Sequence, residues 1–253
     1  VDPPRYNVLG VGIHAVNLAS ATDHLVAATQ AKQSGYVCCC DAHSITQAQR
    51  NAAHRLTLNH ALLATPDGMP LVWAGRRSGH REVGRTYGPD LLESMGAATA
   101  GTSLRHYFYG GTAGVAAELA RRLRKKFPVL NVAGSETPPW IEDVTQLSTE
   151  RILAAHADFV WVGLSTPKQE AFMQHLHATT AFTGISLGIG AAFDFLTDRV
   201  AQAPKWVQRS GGEWLWRMAQ EPRRLAPRYG GTLPVFALRL LAQRAGLRHY
   251  SLD

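Results

Sequence analysis

Three chemistries are excluded by what this chain of 253 residues lacks. Its three cysteines stand side by side as Cys38-Cys39-Cys40. On a strand, neighbours point to opposite faces, so only Cys38 and Cys40 share a side. That spacing suits neither a disulfide framework nor the Cys-x-x-Cys pairs of a zinc site. Small buried hydrophobes in a reducing compartment fit it instead. No apolar run approaches the ~18 residues of a membrane span, and no basic-then-apolar signal pattern opens the chain. There is no Asp-x-Asp pair of the kind that holds a divalent cation on a nucleotide sugar, and no histidine-rich cluster. Neither a metal nor another cofactor is expected.

Acidic residues are scarce in one region only. Positions 1–198 carry equal numbers of basic and acidic side chains, whereas positions 199–253 hold ten Lys and Arg against Glu213, Glu221 and Asp253. The whole formal excess of +7 therefore sits in the last fifth of the chain. A lopsided basic tail calls for an anionic partner such as a membrane surface, phosphate or nucleic acid.

Strand-length apolar runs bounded by Gly, Pro or Asp recur at Tyr6–Gly12, Tyr36–Asp41, Leu62–Pro66, His106–Gly110, Leu130–Gly134, Phe159–Leu164 and Gly184–Gly188. Helical periodicity fills the gaps, most clearly over Gly114–Phe127. The alternation predicts an α/β fold, a Rossmann-like and mainly parallel sheet flanked by helices. After Asp198 the character changes. The expected division is a core over 1–198 and a basic helical C-terminal appendage over 199–253, helical over Gly211–Met218 and Leu233–Leu247 and interrupted at Pro222, Pro227 and Gly230-Gly231. The last helix mixes Val235, Phe236, Leu238 and Leu241 with Arg239, Arg244 and Arg248. This suits an interfacial helix on anionic lipid; docking on the protein's own body or on another subunit explains it equally, so a homo-oligomer stays open.

Open α/β sheets bind ligands at the carboxyl ends of their strands, and two strings fall there. Asp67 lies between Pro66 and Gly68 at a strand end, where a carboxylate can take a proton from a hydroxyl nucleophile or simply cap a turn. Pro167-Lys168-Gln169-Glu170 sets a cation, an amide and a carboxylate at a strand-to-helix junction, which also suits a cap. Gly110-Gly111-Thr112-x-Gly114 opens a helix and fits either a phosphate loop or a tight turn. Gly10-x-Gly12-x-x-Ala15, with Asp41 ending the next strand, imitates a dinucleotide fingerprint. Its glycines precede the expected helix start at Ser20, Thr22 or Asp23 by too much to bring phosphate to free amides. Arg217, Arg223, Arg224 and Arg228 space guanidinium forks along the tail, as a diphosphate clamp or a solvated face would.

Together these strings resemble the bacterial WecG/TagA/CpsF glycosyltransferases over nearly the whole chain. The matches begin with Val8-Leu9-Gly10-Val11, Pro66-Asp67-Gly68-Met69-Pro70, Tyr87-Gly88-Pro89-Asp90-Leu91-Leu92 and Tyr109-Gly110-Gly111. They continue through Val162-Gly163-Leu164, Pro167-Lys168-Gln169-Glu170 and Gly188-x-Gly190-Ala191-Ala192-Phe193-Asp194-Phe195. They close with Ala203-Pro204-Lys205-Trp206, Glu213-Trp214-Leu215-Trp216-Arg217 and Glu221-Pro222-Arg223-Arg224-Leu225. The resemblance implies metal-independent, inverting transfer of an N-acetylmannosamine, N-acetylmannosaminuronic acid or glucuronic acid unit from a UDP-sugar to a lipid-linked saccharide. It also implies an appendage that touches the membrane and closes over the site.

Carried over, Asp67 matches the general base, Gln169 with Lys168 and Glu170 the nucleotide-sugar loop, and Arg217 and Arg224 the clamp, with Arg228 a third member. Asp41, Gly110, Gly111, Gly190 and Asp194 complete the expected substrate contacts. Cys39 and Asp41 replace a common Thr-x-Asn, Ser165-Thr166 a common Gly-x, Gly212 a Leu and Thr197 a Gly, departures that bear on specificity. The implied location is cytoplasmic, at the inner face of the cell membrane, without nucleic acid as partner. A non-catalytic nucleotide-sugar or nucleic-acid binding protein and a Rossmann oxidoreductase are the alternatives.

Overall fold

Strands and helices alternate along the chain and wind into one parallel sheet, seen in a computed structural model that describes residues 2–252, the side chains at positions 224 and 226–229 excepted. The strands are β1 (Arg5–Val8), β2 (Val11–His14), β3 (Gly35–Cys40), β4 (Leu63–Pro66), β5 (Arg105–Gly110), β6 (Asn131–Glu136), β7 (Phe159–Gly163) and β8 (Ile185–Gly188). The main sheet has six strands in the order β4-β3-β8-β7-β5-β6, and every neighbouring pair in it is parallel. The chain lays β4 beside one side of β3, then crosses to the far edge and returns inward through β7 and β8. The carboxyl ends of β3, β8, β7 and β5 therefore flank the reversal where such sheets take ligands.

Side-chain alternation sorts the core into two layers. Val160 and Val162 of β7 join Ile45, Leu58, Phe172 and Met173 on one face. Phe159 and Trp161 join Leu25, Leu91, Leu119 and Leu123 on the other. The cysteine run obeys the same rule: Cys38 and Cys40 fall in the first layer and Cys39 packs against the second.

Three sequence expectations need correction. The first apolar run is not a strand of the parallel sheet: β1 and β2 pair antiparallel as a separate hairpin. Gly10 makes its turn with φ +81, and a Cβ there would come within 3.0 Å of the Ser251 carbonyl oxygen. The glycines thus serve a turn and the packing against Ser251, and they are followed by β2 and not by a helix start that could receive a phosphate. The first helix starts earlier than Ser20, at Leu18, where Asn17 and Ser20 form a reciprocal capping box.

The third correction concerns the tail. Breakers at 227, 230 and 231 do not divide it, because one helix runs from Pro222 to Arg244. Leu225 and Phe236 are buried and Leu233 and Leu240 pack against the core, a stripe at helical spacing. Burial of that stripe overrides weak local propensity. The helix lies on the helix Ala42–Ala48, and Gln243 bonds the hairpin at Leu9 and Asn7. Leu238, Leu241 and Leu247 remain exposed. Among the described residues no helix is long and apolar enough to cross a membrane.

Candidate active site

All six carboxyl ends of the main sheet open into one cleft of about 1070 Å³, at the upper end of the size range for small-ligand sites. Asp67 stands on its wall. β4 ends at Pro66, and the Asp67 amide bonds the Cys40 carbonyl of β3 at 2.9 Å, which stitches the turn to the neighbouring strand. Gly68 is the N-cap of the helix Met69–Arg77, and a Cβ there would lie 3.5 Å from the Asp41 backbone. The Asp67 side chain is 23% exposed. Burial is the main cause that pushes its carboxyl up to about 7; Arg85 pulls it down, and Glu213 and Asp41 push it further up. A carboxyl poised near neutrality in a cleft is suited to move protons.

Asp41 lines the same wall and caps the helix Ala42–Ala48 by accepting from the Ser44 amide at 2.8 Å. Across the cleft, β7 runs into the helix Lys168–Thr179 through Ser165, whose φ of +66 is unusual for a side-chain-bearing residue. Gln169 lines the cleft, and its Nε2 donates to Glu170 Oε1 at 3.0 Å. Among the described residues its buried Oε1 has no partner, which leaves an acceptor for a ligand donor.

Two expected substrate contacts lie behind the lining. Glu170 is 1% exposed and accepts from Thr166 at 2.8 Å as well as from Gln169, so it orients the loop; burial raises its pKa. Gly110 is needed for close packing, since a Cβ would sit 2.5 Å from the Gly163 carbonyl oxygen at a φ of +128. Lys168 reaches the cleft, but its Nζ donates to the Ile141 carbonyl at 2.9 Å and lies 4.6 Å from the centre of the Trp140 ring. It fastens the 137–141 loop over the cleft.

Gly111, Gly190, Asp194 and Arg217 all line the cleft. Gly111 gives its amide to Gly163 at 2.9 Å, and the helix Val115–Lys126 starts beyond it, its positive end open to anions. Arg217 comes from the tail helix Glu213–Gln220. Its guanidinium stands 5.3 Å over the Phe195 ring, and its buried Nε has no partner among the described residues. The side chains of Arg224 and Arg228 lie outside the described residues.

The sequence reading missed several residues. Arg85 packs 3.9 Å over the Tyr87 ring and bonds Asp67 and Glu213; its only signal was its place two residues before the Tyr87-Gly88-Pro89 string. Trp140, 84% exposed at the cleft, offers a flat face suited to stacking a base or sugar. Arg199, counted only as surplus charge, bonds Thr112 of the glycine loop at 2.9 Å. Among the described residues no group of three or more His, Cys, Asp or Glu could hold a metal ion.

Asp67, Gln169 and Arg217 thus share one cleft at the carboxyl ends of a parallel sheet, the place where such sheets take ligands. The profile of the glycosyl transferase WecG/TagA/CpsF family matches residues 6–250, and the chain belongs to that family. It is a glycosyltransferase of cell-surface polysaccharide synthesis, using in general terms a nucleotide-sugar donor and a lipid-linked acceptor.

Proposed function

We propose that the protein is an inverting, metal-independent transferase that moves an N-acetylmannosamine, N-acetylmannosaminuronic acid or glucuronic acid unit from a UDP-sugar to a polyprenyl-diphosphate-linked saccharide. The observation that carries this reading is Asp67, a carboxyl at the cleft wall pushed up to about 7. An acceptor hydroxyl loses its proton to Asp67 as its oxygen bonds the anomeric carbon. The bond from that carbon to the diphosphate breaks on the opposite face, and UDP departs. Arg217 and the positive end of the helix Val115–Lys126 offset the charge growing on the diphosphate. Gln169 and Trp140 orient the donor. No step needs a cation, so EDTA leaves turnover unchanged in this scheme.

The assigned organisation is a catalytic core over 1–198 and an appendage over 199–253 that closes the site and rests on the inner face of the cell membrane. Exposed Leu238 and Leu241 beside Arg239 and Arg244 support that placement. The test is a thermal-shift panel of UDP-sugars, followed by UDP release with a diphospholipid saccharide acceptor, in wild type and Asp67→Asn. Undiminished UDP release in the variant removes Asp67 from the mechanism.

A further inference from the structure

Asp67 is reached from the appendage by a chain of polar contacts whose central members, Arg85 and Glu213, are not among the cleft-lining residues. Arg85 donates through Nε to the Asp67 carbonyl at 2.6 Å and through Nη2 to its Oδ1 at 3.3 Å. The same Nη2 bonds Glu213 Oε2 of the tail helix at 2.5 Å, and Nη1 donates to Gln208 Oε1 of the preceding tail segment at 3.3 Å. Tyr87 lies flat beneath the guanidinium at 3.9 Å and donates its hydroxyl to the other Glu213 oxygen at 3.2 Å. Arg85 and Glu213 side chains are 17% and 14% exposed, so the pair is sheltered from the screening that makes surface ion pairs weak. Glu213 also lies one helical turn from Arg217, so the helix that brings an arginine to the cleft holds the clamp as well.

We propose that Arg85 is a positioning residue which, gripped by Glu213 and Tyr87, makes seating of the tail helix a condition for the working orientation of the Asp67 carboxylate. The inference rests on the reading of Asp67 as general base. Its consequence is coupled closure: the site gains its base in working order only when the appendage is down. A fork geometry is required, because one guanidinium must hold the Asp67 backbone, the Asp67 carboxylate and Glu213 together. A lysine cannot span them.

The charged and titratable groups facing Asp67 set the sign of every perturbation. They are Arg85 and Tyr87 from the loop before the helix Gly88–Thr99, Glu213 from the tail, and Asp41, Cys39 and Cys40 next to or on β3, with Arg217 acting on Tyr87 behind them. Removing the Glu213 charge takes away a neighbour that opposes ionisation of Asp67, and it frees Arg85 to face Asp67 alone. Both effects move the Asp67 titration to lower pH. Removing the Arg85 charge moves it to higher pH.

The experiment is a titration of the full-length protein carrying ¹³C-labelled aspartate, followed by NMR, with Asp67→Asn identifying the resonance. The midpoint in wild type is expected near 7. Glu213→Gln should lower it by about one unit and Arg85→Met raise it by about one unit. Amide hydrogen exchange over the tail helix should quicken in Glu213→Gln and Arg85→Met, and Arg85→Lys should restore the midpoint but not the protection. Shifts of like sign in Glu213→Gln and Arg85→Met, or none, overturn the clamp. If Arg85→Met does not fold, Arg85→Lys and Glu213→Gln decide it on hydrogen exchange alone. Opposite shifts together with full turnover in Asp67→Asn would keep the clamp and remove the base.

Discussion

Replacing Asp67 by Asn should make the protein more stable and less active, and the gain should depend on pH. In the folded state the carboxyl titrates near 7, against its ordinary 3.8. Well below 3.8 it is protonated whether the chain is folded or not, and at pH 4 it still costs little. Between the two values the folded state binds the proton more tightly, and stability falls as pH rises toward 7. At about 1.4 kcal/mol per unit the full shift is worth about 4 kcal/mol. With the carboxyl 23% exposed, solvent screens part of that, and about 2 kcal/mol is a fair expectation at pH 8.

The amide of Asn carries no charge and still leaves the Arg85 bond to the backbone carbonyl in place. In a chain of this size, 2 kcal/mol raises Tm by roughly 4–8 °C. Differential scanning calorimetry of both proteins at pH 4 and pH 8 should show that gain at pH 8 only, with turnover down by about 10²- to 10⁴-fold. Equal Tm differences at the two pH values would refute the electrostatic account of Asp67, and unchanged turnover would refute its role.

Arg217→Ala should lower turnover by about 10²-fold or more with little change in Tm, because Arg217 lines the cleft in which the proposed leaving diphosphate gathers charge; steady-state UDP release measures it. Gly110→Ala should destabilise by about 3 kcal/mol or more, since its Cβ would collide with the backbone of Gly163 at a φ closed to alanine; urea denaturation reads the loss. Leu238→Glu with Leu241→Glu should weaken flotation with anionic vesicles while leaving Tm unchanged, both side chains being exposed. Removing 199–253 outright is a poorer test, as it would uncover the seats of Leu225 and Phe236 in the core. At pH 8 the native thiols should resist alkylation, because burial pushes Cys38, Cys39 and Cys40 up.

Much of the architecture was readable because the strands of the main sheet, the half-polar edge strand β6 apart, are apolar runs closed by a turn residue, from Tyr36–Asp41 through Gly184–Gly188. The hairpin was not, since Tyr6–Gly12 reads as one strand unless the tight turn at Leu9-Gly10 is recognised; both residues have positive φ there. The continuous tail helix was hidden for a different reason. Local breakers are visible in a sequence, whereas the core surface that receives Leu225, Leu233, Phe236 and Leu240 is assembled by strands and helices far away in the chain.

The site divides along the same line. Asp67, Gln169 and Arg217 could be picked out because each sits in a string with its own local chemistry. Glu170 could not be told from Gln169 by sequence, since they are neighbours in a helix's first turn and only packing decides that one faces the cleft and the other supports it. Arg85 carries no local signal beyond its place before the Tyr87-Gly88-Pro89 string: its acidic partners lie 18 and 128 positions away. A residue whose purpose is to join two distant segments is legible only once the fold has brought them together. The arginine most tightly bound up with Asp67 was therefore the hardest to choose from the chain read in order.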